Sequence, residues 1–214
     1  MRRYYVEAFI LAGGASSRMR QDKSLLELGG IPLIVRTARL VKPLVSTVTV
    51  IGAPERYVAL GLHAIPDQIL SNEKPTAPPP GPLAGIVTAL AGSIATWNLI
   101  LACDLPYLTI EWLDWLLSRA IRSTAQVVLP KTANGLEPLA GVYRRECCAQ
   151  FSEALTCGVR SVVDALTNVR VEEVFESEWQ ELDSDRRVLK NMNAPEDYEE
   201  ARRWWDHKAR TEEQ

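Results

Sequence analysis

The sequence predicts an α/β protein with a three-layer, doubly wound fold, a mostly parallel sheet and one late antiparallel strand. Three observations predict this fold. Short apolar or β-branched runs alternate with segments of helical periodicity, which is the order of β–α units. The run at residues 98–103 is almost continuously apolar, as expected of a central parallel strand. A Thr-Ala-Asn-Gly turn at residues 132–135 then predicts an antiparallel return.

Local patterns predict each element in turn. An apolar strand at residues 6–11 runs into paired glycines, and a brief extended piece with a turn follows at 25–30. Pro32 opens a helix to about residue 42, because proline is favoured in a first helical turn. Thr109 caps a later helix that has Glu111 in its first turn. Further strands are predicted at residues 46–52, 62–67, 98–103, 125–130, 139–143 and 169–174. Further helices are predicted at residues 54–60, 84–90, 146–155, 161–166 and 195–209, with a proline-rich surface loop at 71–80 and an extended piece at 190–193.

The composition is ordinary for a globular protein. The 214 residues are 47% hydrophobic and 24% charged, with a formal net charge of −3, so we expect one domain and no nucleic-acid partner. No apolar run approaches the ~20 residues of a membrane span, and we expect a cytoplasmic protein without a membrane partner. The four cysteines form no C-x-x-C pair and the two histidines lie far apart, which disfavours a zinc site or a histidine triad.

Paired glycines follow the first predicted strand, and two cations follow the glycines. Because glycine lacks a Cβ, a ligand can approach the N–H groups of Gly13 and Gly14 closely, and such loops form anion-binding concavities. Arg18 adds a planar fork that suits phosphate, and Lys23 adds a point charge. The pattern predicts a triphosphate site, with a plain turn as the alternative. It fits neither the Walker loop nor the dinucleotide fingerprint, which disfavours a Rossmann-type oxidoreductase.

Carboxylates end two of the predicted strands. Asp104 follows the apolar run at 98–103, where a carboxylate costs desolvation unless something pairs with it. Beside a triphosphate the natural partner is Mg²⁺, and capping of the next helix is the alternative. Asp67 ends the third strand, with a solvent-facing loop residue as its alternative. Because ligands of such sheets bind beyond the carboxyl ends of the strands, we expect Asp67, Asp104 and the loop at 11–23 on one edge.

The loop at residues 11–23, Leu-Ala-Gly-Gly-x-Ser-x-Arg-Met-x-x-Asp-Lys, resembles the signature of the molybdenum cofactor guanylyltransferase (MobA-type) family, within the wider nucleotidyltransferase class. Three further segments are similar to family motifs: Gly-Pro-Leu-Ala-Gly at 81–85, Cys-Asp-Leu-Pro at 103–106 and Asn-Met-Asn-Ala-Pro-Glu-Asp at 191–197. The likeness spans roughly residues 8–203. Arg20 stands where the family usually has glycine, and Ala194 replaces a threonine.

The resemblance implies a nucleotidyltransferase-like Rossmann variant with GTP and a molybdopterin-type acceptor as substrates. It implies catalytic roles for Arg18, Lys23 and Asp104, and Mg²⁺ bound at Asp104. The residues that it assigns to binding the nucleotide, metal or acceptor are Leu11, Ala12, Gly13, Gly14, Ser16, Lys23, Asp67, Gly81, Pro82, Leu83, Asp104, Asn191 and Asn193. We expect a nucleotide-binding half at about 1–120 and an acceptor-binding half at about 121–210, with transient contacts to other cofactor-biosynthesis proteins or apoenzymes.

Two alternatives remain from the sequence. One keeps the chemistry and changes the substrates, to a molybdopterin cytidylyltransferase or a sugar- or alditol-phosphate nucleotidyltransferase. The other is a non-catalytic nucleotide- or cofactor-binding module, which the departures at Arg20 and Ala194 would favour.

Overall fold

The computed structural model describes residues 3–12, 22–67 and 81–212. The strands are β1 (Val6–Leu11), β2 (Glu27–Leu28), β3 (Ile31–Pro32), β4 (Thr47–Ile51), β5 (Ala64–Ile65), β6 (Trp97–Ala102), β7 (Val127–Thr132), β8 (Gly135–Leu136), β9 (Ala140–Arg144) and β10 (Val171–Phe175). The helices are α1 (Leu33–Val41), α2 (Pro54–Tyr57), α3 (Gly81–Gly92), α4 (Ile110–Arg122), α5 (Cys147–Thr156), α6 (Val162–Ala165), α7 (Glu176–Trp179) and α8 (Pro195–Glu212). Short 3-10 helices lie at Lys23–Leu25, Val58–Leu60 and Gln180–Leu182.

A sheet of eight strands forms the middle layer in the described residues. Its order is β10-β7-β9-β6-β1-β4-β5, with β8 paired to β7, and β2 and β3 form a separate hairpin. Strand β1 is parallel to both β4 and β6, and β4 is parallel to β5. Strand β9 is antiparallel to β6 and β7. The predicted mostly parallel sheet with a late antiparallel strand is therefore confirmed.

Helices cover both faces of the sheet, because alternate side chains of the central strands point to opposite sides. Val6 and Ala8 of β1 pack with Trp112 of α4 on one face, whereas Phe9 and Leu11 pack with the helix α3 on the other. The whole of β1 is buried. None of the helices in the described ranges combines the length and the hydropathy that crossing a membrane requires.

Several boundaries differ from the predicted ones for local reasons. Strand β5 has two residues instead of the predicted six, and it lies at the edge of the sheet, where it has one neighbouring strand. Helix α3 begins three residues before the predicted start, at Gly81. The predicted helix at 54–60 is divided into α2 and a 3-10 turn that ends at Gly61, whose φ of 70° is left-handed. The proline-rich loop predicted at 71–80 lies outside the described residues.

Candidate active site

The candidate site lies where the parallel strands end. The N–H of Ala12, directly after β1, donates to the carbonyl of Ile51 at the end of β4, at 2.9 Å. The N–H of Cys103, directly after β6, donates to the carbonyl of Leu11 at 3.3 Å. These bonds align the carboxyl ends of β1, β4 and β6, so the residues that follow the three strands lie at one edge of the sheet. Asp104 was predicted to lie at this edge.

Lys23 reaches across this edge to two predicted site residues. It begins a 3-10 turn whose start is capped by Asp22, which accepts from the N–H of Ser24. The ammonium Nζ of Lys23 donates to Oδ1 of Asn193 at 3.0 Å and lies 3.6 Å from Oδ2 of Asp104. The side chains of Lys23 and Asp104 are 16% and 22% exposed. The structure thus joins a cation, a carboxylate and an amide from three distant parts of the chain.

The electrostatics of Asp104 reflect its position at the end of a buried strand. Burial raises the pKa of Asp104, and the ammonium of Lys23 opposes that rise. Burial also raises the pKa of the neighbouring thiol of Cys103 to about 12, so Cys103 stays protonated at neutral pH and is a poor nucleophile. Asp104 is therefore the acidic group of this strand end that can hold a cation.

The segment at 191–193 is fixed to the same strand end through its backbone. Met192 is fully buried, and its N–H donates to the carbonyl of Asp104 at 2.9 Å. Asn191 and Asn193, on either side, are exposed. The carboxylate of Asp197 accepts from the N–H groups of Asn193 and Ala194, at 2.9 and 2.8 Å. It supplies one half of a capping box at the start of α8, although Ala194 lacks the hydroxyl for the other half.

The remaining predicted residues lie on and beside α3. Asp67, two residues beyond β5, accepts a hydrogen bond from Oγ1 of Thr88 at 2.9 Å. Gly81 has a φ of 72°, and a Cβ there would lie 2.9 Å from the carbonyl oxygen of Arg160. Leu83 is fully buried in the same apolar cluster as Leu11. The structure thus ties Asp67 to α3, while Lys23, Asp104 and Asn193 meet directly.

Some predicted residues lie outside the described ranges, and one contributor was not predicted. Gly13, Gly14, Ser16, Arg18 and Arg20 fall in the undescribed stretch 13–21. Tyr57 was not predicted, yet its hydroxyl donates to the carbonyl of Ala12 at 3.2 Å and lies 3.2 Å from Oγ of Ser24. Its distance in sequence from both partners leaves no local pattern by which the contact could be found.

The single carboxylate of Asp104 fits a magnesium ion whose remaining coordination positions are filled by water and by a substrate. Mg²⁺ usually takes one or two carboxylates, together with water and phosphate oxygens. In the described part of the chain, no three His, Cys, Asp or Glu side chains converge to hold a metal by themselves. One partly buried carboxylate beside a lysine therefore fits an ion that arrives with phosphate better than a closed structural site.

Comparison with known proteins shows what this chain resembles. Residues 8–171 match the model of the MobA-like NTP transferase domain. A probable molybdenum cofactor guanylyltransferase of Synechococcus elongatus is 37% identical over 195 residues, which are 90% of this chain and 95% of the relative. A protein of the same description from Pelotomaculum thermopropionicum is 34% identical, with 90% of each chain covered.

Solved structures share the fold. Molybdopterin-guanine dinucleotide biosynthesis protein A of Archaeoglobus fulgidus superposes with a TM-score of 0.79 at 21% identity, covering 94% of this chain and 99% of that one. A 2-C-methyl-D-erythritol 4-phosphate cytidylyltransferase of Thermus thermophilus gives 0.68 at 14% identity, covering 95% and 100%. The fold alone therefore does not select a base, whereas the sequence match selects a family. This chain belongs to the family of MobA-like NTP transferase domains.

Proposed function

We propose that this protein transfers GMP from GTP to molybdopterin-bound molybdenum cofactor, giving the guanine dinucleotide cofactor and pyrophosphate. In this reaction a phosphate oxygen of the acceptor attacks the α-phosphorus of GTP. The bond between the α-phosphorus and the oxygen bridging to the β-phosphate breaks, and pyrophosphate leaves. The curated relatives, 37% and 34% identical over 90% of the chain, support this choice of substrates.

The observation that carries the proposal is the meeting of Lys23, Asp104 and Asn193 at the carboxyl edge of the sheet. Phosphoryl-type transfer needs positioning and charge neutralisation more than a covalent residue. A lysine and a carboxylate, with their side chains mostly shielded from solvent, meet that need. A purely structural ion pair would not require a glycine-rich segment and a third polar residue from the distant C-terminal segment.

Each residue then has a distinct role. Lys23 binds the triphosphate and stabilises the charge that develops on the departing pyrophosphate. Arg18 and the N–H groups of Gly13 and Gly14 are further donors to the same phosphates. Asp104 would hold Mg²⁺, which would supply charge neutralisation to the triphosphate. Asn193 orients the ammonium of Lys23 through the bond between them.

We assign the rest of the nucleotide to the α3 side of the site. Asp67, held by Thr88, contacts the ribose or the base. The start of α3, Gly81 to Leu83, contacts the base, and Leu11, at the end of β1, and Ala12, directly after it, form the adjoining part of the nucleotide site. Asn191 faces the acceptor.

We further propose one domain with a nucleotide-binding half at about 1–120 and an acceptor-binding half at about 121–210. The continuous sheet from β5 to β10 supports a single domain. The C-terminal segment crosses back to the first half, since the hydroxyl of Tyr198 donates to the carbonyl of Glu27 at 3.1 Å. We place the protein in the cytoplasm, where the four cysteines, which are free thiols here, stay reduced. There it would meet other cofactor-biosynthesis proteins and apoenzymes transiently.

The test is pyrophosphate release by the purified protein with Mg²⁺, a molybdopterin-type acceptor and each of GTP, CTP, ATP and UTP. We expect release with GTP well above that with the other three nucleotides. Isothermal titration with the same four nucleotides measures binding separately. Selective release with CTP would replace the proposal by a cytidylyltransferase. Tight GTP binding without release, in the presence of the acceptor, would indicate a non-catalytic binding module.

A further inference from the structure

The hydroxyl of Tyr57 contacts the chain on both sides of the glycine-rich segment. It donates to the carbonyl of Ala12, which precedes the segment, and lies 3.2 Å from Oγ of Ser24, which follows Lys23. The ring is fully buried among side chains of β1, α1 and β4, and Ser24 is only 1% exposed. A single side chain of α2 therefore contacts the backbone of Ala12 and the side chain of Ser24, which are twelve residues apart in sequence.

The protons of this cluster can be assigned from the acceptors. Oγ of Ser24 lies 2.6 Å from Oδ1 of Asp22, and an ionised carboxylate only accepts, so the serine proton is directed to Asp22. The proton between the two hydroxyls must then come from Tyr57, which shares it between Ala12 and Ser24. Burial raises the pKa of Tyr57; the hydrogen bond with Ser24 opposes that rise and the charge of Asp22 adds to it. The phenol thus remains a donor throughout the neutral range.

Asp22 is held by a second, more exposed contact. Its Oδ2 lies 2.9 Å from Nη1 of Arg56, the residue before Tyr57. The Arg56 side chain is 56% exposed, and exposed ion pairs add little to stability. The buried phenol, rather than the arginine, is therefore the stronger restraint on residues 22–24.

We propose that Tyr57 is a positioning residue that fixes the backbone around Lys23, so that its ammonium lies between Asn193 and Asp104. This inference rests on the proposed function of Lys23 at the triphosphate. Tyr57 touches no reacting atom and acts through the backbone that carries the lysine. Removing its hydroxyl takes one contact from Ser24 and one from Ala12 together, and Lys23 lies directly beside Ser24.

The test compares Tyr57→Phe with a matched control, Tyr4→Phe. Tyr4 lies just before the start of β1, at the opposite end of that strand from the site. It is also buried, and its hydroxyl donates to Oδ1 of Asp114 at 2.9 Å. Each variant thus removes one phenol hydroxyl that makes a hydrogen bond and keeps the ring. The two readouts are amide hydrogen exchange of the peptide 22–28 and the kinetics of pyrophosphate release with GTP and Mg²⁺.

For Tyr57→Phe we expect exchange in the peptide 22–28 to accelerate about tenfold, because the amides of Ser24 and Leu25 are bonded within this turn. We expect kcat/KM for GTP to fall about tenfold, since small misplacements of a catalytic group are costly. Tyr4→Phe should leave both quantities within about twofold of the wild type, whatever it does to the melting temperature. Ser24→Ala, which removes one of the two acceptors and also the bond from Oγ to Asp22, should shift both readouts in the same direction.

A second comparison tests whether Tyr57 acts through Lys23. In a Lys23→Ala background, adding Tyr57→Phe should not weaken GTP binding further, because the group being positioned is gone. The proposal would be overturned if Tyr57→Phe weakened GTP binding as much in the Lys23→Ala background as it does in the wild type. It would also be overturned if Tyr57→Phe left exchange in the peptide 22–28 unchanged, or left the kinetics unchanged despite faster exchange. If the wild type neither binds GTP nor releases pyrophosphate, the proposed function fails, and the exchange data still decide whether Tyr57 restrains residues 22–24.

Discussion

Replacing Asp197 with alanine is expected to destabilise the start of α8 and to loosen Asn193. The carboxylate of Asp197 accepts from the N–H groups of Asn193 and Ala194, at 2.9 and 2.8 Å. Ala194 has no side-chain oxygen to cap the first turn of α8. Asp197 therefore caps the helix without the hydroxyl that a serine or threonine at position 194 would add.

The size of the effect follows from the two lost bonds. Loss of one helix cap typically lowers the free energy of unfolding by about 1 kcal/mol. Because Asp197→Ala removes two charge-assisted bonds from a partly exposed carboxylate, we expect a loss of about 1.5 kcal/mol. For a domain of this size that corresponds to a fall in melting temperature of about 3–6 °C. Glu196→Ala is the matched control, because this exposed neighbour lies in the same first turn. We expect it to cost less than about 0.5 kcal/mol, the usual range for a surface substitution.

The stabilisation by Asp197 also depends on pH with a definite sign. The N–H groups of Ala194 and Asn193 lower the pKa of Asp197 below its ordinary value of 3.8. A carboxylate with a lowered pKa in the folded state stabilises fully above its unfolded value, and this contribution is lost as pH falls through the folded value. The difference in melting temperature between wild type and Asp197→Ala should therefore be constant from pH 7 to about 5 and shrink below about pH 4.

Thermal unfolding followed by circular dichroism across this pH range provides the measurement. The capping role would be refuted by a melting temperature of Asp197→Ala within 1 °C of the wild type at pH 7. A difference that persists undiminished at the lowest pH where the protein still folds would refute the electrostatic part. Because Asn193 also accepts from Lys23, we expect KM for GTP to rise about threefold in the variant, as for loss of a modest hydrogen bond.

Three further predictions test the site directly. Lys23→Ala and Asp104→Ala should each keep the wild-type circular dichroism spectrum and lose at least about 100-fold in kcat; unimpaired turnover in either would contradict its role. Gly81→Ala should lose about 1–3 kcal/mol in urea unfolding, since its φ is 72° and the new methyl group would meet a carbonyl oxygen at 2.9 Å; an unchanged midpoint would contradict this. Thr88→Val removes the donor to Asp67 and should raise KM for GTP about threefold, and an unchanged KM would argue against a role for Asp67.

The parts of the fold that were predictable are those that local pattern determines. Strand β1 was predicted with its observed bounds, because a strand buried on both faces is largely apolar, and five of its six residues are apolar, with Glu7 as the exception. Thr109 was predicted as a helix cap, and its side chain accepts from the N–H of Trp112. Strand β5 was predicted too long, because partly exposed residues at the edge of a sheet leave no sharp apolar limit. Helix α7 was missed for a different reason, because its four residues are too few to show a helical period.

The residues of the candidate site also fall into those that the sequence predicts and those that it does not. Lys23, Asp104 and Asn193 were predicted from charge and motif, and the structure brings them together. Tyr57 and the backbone of Met192 could not be predicted. The hydroxyl of Tyr57 contacts residues 45 and 33 positions away in sequence. The bond from Met192 to Asp104 is made by the main chain, so no side chain in the sequence indicates it.

Because that bond is made by the backbone, it does not depend on which side chain stands at position 194. The buried side chain of Met192 and its N–H to Asp104 anchor the segment from one side, and Asp197 holds Asn193 and Ala194 from the other. The departure at Ala194 therefore removes one hydroxyl from a segment that is already held at both ends. A loss of catalysis through this position would require Asn193 to move, and both contacts oppose that movement. On this ground Ala194 does not favour a non-catalytic module over an active nucleotidyltransferase.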